Sequence, residues 1–399
     1  MTSANTSCMP VLSFLAAGNY EINFIGEGAA NAVFQVVVQP GDEQSSIFQG
    51  YLLRVPKAGT KAHSYVELQE YWETVVRPLF EPEDLVQQRL VKLGGEGVVS
   101  CLNAALELKE EARRADFKGS RVAVAEHGML VEDMRQSHTS DLTFEFKPKW
   151  LAQSHHAPAS ATRCRTCARE ALRLHTKPGT ARKQKQKQSP KETSPSILCP
   201  LNLLACTTSP TALTHVTAHF STLTPPPSSF CPSFCPSIGP STCPSTCPST
   251  TTTTSTTTST TSTTTATPPS HPVSPDTAQA AQHARLATWL QTNTLLPRLR
   301  AAQLAAARDG EEEDEGTADP EQLALAMTLR DCACFVRVPA EAGRPVEAKL
   351  ADLDRKNWEA KRGYWREMER RLVEGGYYEG REVGGVGTDC LLEEETKKV

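Results

Sequence analysis

The chain has 399 residues, a formal charge of −4 and 13 cysteines. That length allows two domains with a sizeable core, and the near balance of charge gives no global pull toward nucleic acid or membrane, so any recognition of a polyanion must be local. No run of 18 apolar residues occurs, which leaves no candidate membrane span.

The apolar stretch Met9 to Ala17 has no basic flank before it and reads as non-secretory. The cysteines then fall in a reducing compartment, nucleus or cytoplasm, as free thiols or metal ligands rather than a disulfide framework. From Tyr20 the residues alternate, meet Gly26-Glu27-Gly28-Ala29-Ala30-Asn31, and resume through Val38. This predicts strand, glycine turn, strand. Neither the helix that a dinucleotide fingerprint needs nor the Gly-Lys-Ser/Thr of a Walker loop follows. A glycine hairpin folded over phosphates is the arrangement of protein kinases, although an ordinary hairpin turn reads alike. The strand Tyr51 to Lys57 then carries Arg54 and Lys57, where a kinase-like lobe places a cation for the nucleotide phosphates.

Helical spacing of Tyr65, Leu68, Trp72 and Val76 predicts a helix over Ser64 to Phe80, packed behind that sheet. Further helices are expected over Pro82 to Leu93 and, solvent-facing, over Gly97 to Ala115. Val122 to Met134 reads as a buried strand ending in acids, the form of a connector between two kinase lobes.

Glu145-Phe146-Lys147-Pro148-Lys149-Trp150 is the most informative stretch. As a strand it sends Phe144 and Phe146 to one side and Glu145, Lys147 and Lys149 to the other. Two ammonium groups about 7 Å apart suit a ligand with several phosphates, and Pro148 confines the segment to a sheet edge or a strand end.

Beyond it, Arg163-Cys164-Arg165-Thr166-Cys167 holds a CxxC pair. Zinc needs four ligands, and no second CxxC follows at zinc-ribbon spacing, so Cys164 and Cys167 alone do not complete a zinc site. Arg163 and Arg165 suit a phosphate. Between Glu192 and Asp276 there is no Asp, Glu, Lys or Arg, and a Cys-Pro-Ser period gives way to a Thr/Ser tract. Residues 176–277 therefore read as a disordered insert, looped out of the domain or arising from an intron read as exon, with one folded island at 199–204.

Order is expected again from 278, with a helix to about Gln303, an acidic loop, and a helix from Glu321. Asp331 opens an apolar strand-like run as a turn former or a hard oxygen ligand for a metal nucleotide. Leu350 to Lys356 sets Asp352 and Asp354 on one face of a short strand. Lys361 and Tyr364 follow on a helix that Gly375 and Gly376 end, and the acidic-basic stretch Glu393 to Val399 is expected to fray.

Taken in order, GEGAANAVF (26–34), LLRVPK (52–57), GMLVEDM (128–134), EFKPKWL (145–151), RCRTCA (163–168), CPLNLL (199–204), AMTLRDC (326–332) and DLDRK (352–356) resemble the inositol-pentakisphosphate 2-kinases in their fungal form. EFKPKW with RCRTCA is specific; the glycine loop is not. The resemblance implies an α+β fold of two kinase-like lobes. It sets an ATP-binding lobe over 15–134, a substrate lobe over 135–175, 199–204 and 278–380, and a tail over 381–399. It further implies transfer of the ATP γ-phosphate to the 2-hydroxyl of inositol 1,3,4,5,6-pentakisphosphate by a monomer with no nucleic-acid or membrane partner.

By that resemblance Gly26 to Asn31 cover the ATP phosphates, Arg54 holds one of them, Glu132 lies at the adenine, and Glu145 orients adenosine or the cations. Lys147 and Asp331 are the catalytic pair. Asp331, Asp352 and Asp354 hold magnesium, and Lys147, Lys149, Arg163, Arg165, Lys356, Lys361 and Tyr364 hold the substrate phosphates. Asn202 and Asn357 depart from the family, which favours aspartate and proline there. The alternative is a catalytically impaired kinase-like protein that binds inositol polyphosphates or serves as a scaffold.

Overall fold

A computed structural model describes residues 9–17, 20–38, 42, 44–135, 140–176, 198–223, 275–310, 319–381 and 388–396. Its first sheet is antiparallel with strand order β1-β2-β3-β5-β4, made by β1 (Glu21–Glu27), β2 (Asn31–Val37), β3 (Tyr51–Pro56), β4 (Gln88–Lys92) and β5 (His127–Glu132). Alternation in β2 buries Ala32, Phe34 and Val36 on one face, as a half-covered strand requires. That face meets helix α2 (Glu96–Glu107), which turns in Val98, Val99, Leu102, Ala105 and Leu106.

Three expectations for this lobe are corrected. Only Pro82–Asp84 of the expected helix over Pro82 to Leu93 forms a single helical turn, and Gln88–Lys92 is β4, because pairing along the free edge of β5 outweighs local spacing. Helix α2 stops at Glu107, eight residues short of Ala115, and it is half-buried rather than solvent-facing. The chain turns in there because Arg113, fully buried, reaches back to Glu27 at 2.7 Å, with Lys57 on the same carboxylate at 2.8 Å. Lys57 thus props the glycine hairpin from behind. Strand β5 begins at His127 rather than Val122.

Helix α1 (Tyr65–Tyr71), capped by Ser64 and Glu67, runs on through a wider turn, Trp72–Val76. Its start packs Tyr65 and Leu68 on Met129 of the first sheet, but Tyr71, Trp72, Val76 and Phe80 enter the core of the second lobe. The segment therefore belongs to both lobes, not to the first sheet alone.

The second lobe is built on a three-stranded antiparallel sheet, β6 (Leu142–Phe146), β7 (Ala333–Val338) and β8 (Glu347–Ala351), with β7 central. Strand β6 lies at the edge and ends before Pro148, which cannot donate to a ladder. Around this sheet stand α3 (Arg165–Thr176), α4 (Pro200–Ala205), α5 (Pro210–Leu223), α6 (Pro275–Thr292), α7 (Leu295–Gly310), α8 (Pro320–Asp331), α9 (Trp358–Glu374) and α10 (Leu391–Thr396). The single helix expected over 278–303 is two, broken where Asn293 bonds the backbone of Leu296. Asp352 and Asp354 lie just past β8 rather than on it.

The folded island is larger than expected. It extends through Leu223, because α5 buries Ala212, Val216 and Phe220 in the lobe's core. The composition of 205–223 lacks charge, yet its apolar spacing is helical. The expectation of disorder for the rest of the insert falls on 177–197 and 224–274, outside the described residues. Two lobes of mixed strand and helix bear out the α+β reading.

Phe220 meets Phe144 and Phe146 edge to face, each at 5.2 Å. Phe220→Ala is expected to cost about 3–5 kcal/mol of stability in urea unfolding of the full chain. A cost below about 1 kcal/mol would show that α5 is not part of the core.

Candidate active site

Two cavities meet between and below the lobes. The first, about 410 Å³, is a slot roofed by Gly26, Glu27, Val33 and Leu52 and floored by Leu350 and Leu353, with Arg54, Trp72, Val131 and Glu132 along its sides. Largely apolar walls with a few charges at the end are the usual form of a small-ligand site. The second, about 1190 Å³, lies within the second lobe. Lys147, Lys149, Arg165, Arg169, Arg173, Arg330, Lys356, Lys361 and Arg371 line it, against Glu145, Glu170 and Asp331. Glu145 lines both.

At their junction stands a cluster of three lysines and two aspartates. The Lys147 ammonium donates to the Asp331 carbonyl at 2.7 Å and to Asp352 at 2.9 Å. Lys149 donates to Asp331 Oδ1 at 2.8 Å, and Lys356 lies 3.7 Å from Asp331 and 3.6 Å from Asp352. Burial would depress the charge on Lys147, but the two aspartates outweigh it and hold its pKa above the ordinary value. Burial likewise works against the Asp331 carboxylate, and Lys149, Lys356 and Lys147 overcome it, so its pKa lies below the ordinary 3.8. Burial raises Glu145, partly offset by Lys147.

The backbone is bent to make this cluster. Lys149 (φ 57°) and Asp352 (φ 55°) are, among the described residues, the non-glycine residues with left-handed backbone. Such conformations persist where the surroundings over-determine them. Lys149 thus reaches the same point as Lys147 through a turn past Pro148 rather than along a continued strand.

Two buried side chains hold the turn and its partners. Gln303 of α7, 2% exposed, accepts from the Leu151 N–H at 2.9 Å and donates to the Lys149 and Leu329 carbonyls at 2.8 and 3.0 Å. Thr328 of α8 donates to the Asp354 carbonyl at 3.0 Å and accepts from the Lys356 N–H. The Trp150 indole is held between the guanidinium groups of Arg165 at 4.2 Å and Arg330 at 3.7 Å, and Arg165 is tied to Glu369 at 2.7 Å.

The remaining expected site residues divide. Gly26 and Glu27 roof the slot. Gly28 to Ala30 form the hairpin turn beyond it, and Asn31 accepts from Tyr65 at 2.9 Å. Arg54 and Glu132 line the slot but also cross between lobes, Arg54 to both oxygens of Asp354 at 2.8 Å and Glu132 to Lys349 at 2.5 Å. Asp354 is therefore set apart from Asp331 and Asp352. Lys361 and Tyr364 line the large cavity from α9. Arg163 does not: it is buried against Tyr377, Gly380 and Glu393, because the chain's return past α9 covers it.

Cys164 and Cys167 gain two partners that sequence spacing did not supply. Cys199, before α4, and Cys390, before α10, join them, with all four sulfurs within 4.8 Å of one another. Of the tail expected to fray from Glu393 on, the part to Thr396 lies in helix α10, and 397–399 fall outside the described residues. Arg169, Arg173, Arg330, Arg371, Gln303 and Thr328 were also missed. Spacing of four residues from Arg165 placed the first two on one helical face; nothing local marked Gln303.

A slot between two lobes, opening at its charged end onto a polycationic cavity, defines a kinase-like phosphotransfer cleft. The family model described as inositol-pentakisphosphate 2-kinase matches residues 24–371, and the chain belongs to that family. One curated relative, the inositol-pentakisphosphate 2-kinase of Yarrowia lipolytica (strain CLIB 122 / E 150), is 42% identical over 73 residues, which is 18% of this chain and 22% of that protein. The match thus spans under a quarter of the relative's length. Among the described residues, no helix is long and apolar enough to cross a membrane.

Gln303→Leu would strand three buried backbone groups, each costing about 1–3 kcal/mol, and is expected to show as a lowered urea midpoint in the full chain. The depressed Asp331 pKa makes its contribution to stability complete above the ordinary value of 3.8 and lost as pH falls through the folded value. Asp331→Asn should therefore flatten the acid limb of the stability curve below about pH 4 and leave it parallel to the parent above about pH 6.

Proposed function

We propose that this chain transfers the γ-phosphoryl group of ATP to the 2-hydroxyl of inositol 1,3,4,5,6-pentakisphosphate, giving the hexakisphosphate. The observation that carries the reading is the lysine–aspartate cluster at the point where the slot opens into the basic cavity. A substrate with five phosphates needs several cations around one volume, and forked arginines with point-charge lysines supply them.

In this reading the slot takes the adenosine, with its phosphates directed under the Gly26–Glu27 roof toward Lys147. Arg165, Lys356, Lys361 and the arginines of α3 hold the acceptor's phosphates and so fix which hydroxyl faces the junction. Lys147, kept protonated, neutralises charge on the transferring group. Because that charge is spread over oxygens in a loose transition state, positioning and electrostatics do most of the work. Asp331 and Asp352 offer hard carboxylate oxygens of the kind that magnesium takes and would hold it there, where it would supply charge neutralisation for the nucleotide phosphates. Asp354 is committed to Arg54 and is left out of that pair. We place the reaction in the nucleus or cytoplasm, where thiols such as Cys332 and Cys334 stay reduced.

With magnesium ATP and the pentakisphosphate, the full chain should form hexakisphosphate, resolved by anion-exchange chromatography. Lys147→Ala and Asp331→Ala should each lower kcat at least about 100-fold, roughly 2.7 kcal/mol of transition-state stabilisation. Lys361→Ala should act mainly on KM for the inositol phosphate. Tight binding of the pentakisphosphate without turnover by the parent chain would make this a polyphosphate-binding protein instead.

A further inference from the structure

On the reading of the slot as the nucleotide site, we infer that Arg337 is a positioning residue for that nucleotide. From the second lobe it clamps the connector that follows β5, so that the backbone of Met134 is held where it meets the base and tells adenine from guanine.

The connector is residues 133–135, and all three line the slot. Most of its backbone polar groups are already committed. The Asp133 N–H donates to the Gly50 carbonyl of the first lobe at 2.8 Å, and the Arg135 N–H donates to the Asp133 carboxylate at 3.0 Å. The Asp133 and Arg135 carbonyls both accept from Nη2 of Arg337, at 3.2 and 3.0 Å. Arg337 stands on β7, the central strand of the second sheet, and its Nη1 donates to Glu347 of β8 at 3.0 Å. The planar, permanently charged guanidinium is thus fixed by a carboxylate on one side and grips two carbonyls with the other.

Met134 lies between those two carbonyls and is 4% exposed. Among the described residues, neither its N–H nor its carbonyl has a hydrogen-bond partner. Buried peptide groups are nearly always paired, so this pair, at the wall of a largely apolar slot, suits a ligand that offers an acceptor and a donor side by side. The edge of adenine does so, with a ring nitrogen beside its amino group; guanine reverses the two, with a ring N–H beside a carbonyl oxygen. The side chains on either side are engaged with each other, Arg135 with Asp133 at 2.6 Å, which leaves the discrimination to the backbone. A peptide free to swing would adapt to either base. One held from both lobes cannot, and the hold from the second lobe is Arg337.

The test is isothermal titration of the full chain with the magnesium complexes of non-hydrolysable ATP and GTP analogues, and separately with the inositol pentakisphosphate. The parent should favour the ATP analogue at least about 100-fold. Arg337→Met should weaken the ATP analogue about tenfold and narrow the ATP-to-GTP ratio by at least about tenfold, with the affinity for the pentakisphosphate unchanged. Arg337→Lys, which keeps one donor within reach, should fall between the two, and it decides the matter should Arg337→Met fail to fold. Arg285 ties the carbonyls of Pro339, Glu341 and Arg344 and does not line the slot; Arg285→Met should lower Tm and leave the ratio as in the parent. An unchanged ratio in the Arg337 variants, a parent without base preference, or the same narrowing in Arg285→Met would overturn the assignment. A parent that binds neither nucleotide would sink the phosphotransfer reading, and the role of Arg337 with it.

Discussion

Three ammonium groups brought to one point repel each other, and the second lobe is arranged around the answer to that repulsion. Lys147, Lys149 and Lys356 come together only because Asp331 and Asp352 stand among them, each carboxylate shared by at least two lysines. The pairs are half-exposed, so each is worth little as a contribution to stability. For the phosphotransfer proposed above, their value is in readiness: cations already gathered and oriented need not be reorganised when phosphate charge arrives. In that proposal a polyanion entering the large cavity would compete with the aspartates for the lysines.

That gathering requires rigid backing, since the five residues come from three segments distant in sequence. The turn after β6 supplies Lys147 and Lys149, the end of α8 supplies Asp331, and the stretch after β8 supplies Asp352 and Lys356. Gln303 fastens the first to the second, and Thr328 fastens the second to the third. Both are buried amide or hydroxyl groups whose partners are backbone, so mispositioning would leave polar groups unpaired. The first lobe is joined by the shared segment from Tyr65 to Phe80 and by the Arg54–Asp354 and Glu132–Lys349 pairs. The slot thus keeps its register against the cluster through both apolar and ionic ties.

What could be read from sequence follows from how local the signal was. Alternation and the glycine turn marked β1 and β2, and the lysines flanking Pro148 marked the edge and the charge of the site, because each signal lies within a few residues. Strand β4 was misread as helix because its reason for being a strand is the open edge of β5, some forty residues away. Arg163 was misassigned because its burial is decided by Tyr377 and Gly380, more than two hundred residues on. The cysteine cluster was half visible for the same cause: Cys164 and Cys167 are neighbours in the chain, while Cys199 and Cys390 are neighbours only in the fold. Helix α5 was hidden differently, since a threonine-rich, uncharged composition masked the apolar spacing of Ala212, Val216 and Phe220.

The two departures from the family pattern find their places in this geometry, and neither touches the cluster. Asn202 is buried at α4 and gives its amide to the Asp389 carbonyl; a carboxylate there could only accept, and would set negative charge against an acceptor. Asparagine is therefore the residue that can bind this tail as it lies. Asn357 caps α9 by accepting from the Ala360 N–H at 3.0 Å, a bond proline has no side-chain oxygen to make. That helix carries Lys361 and Tyr364 to the cavity wall, so the cap supports the cavity from a distance. Both substitutions thus exchange one local constraint for another while leaving the three lysines and two aspartates where they stand.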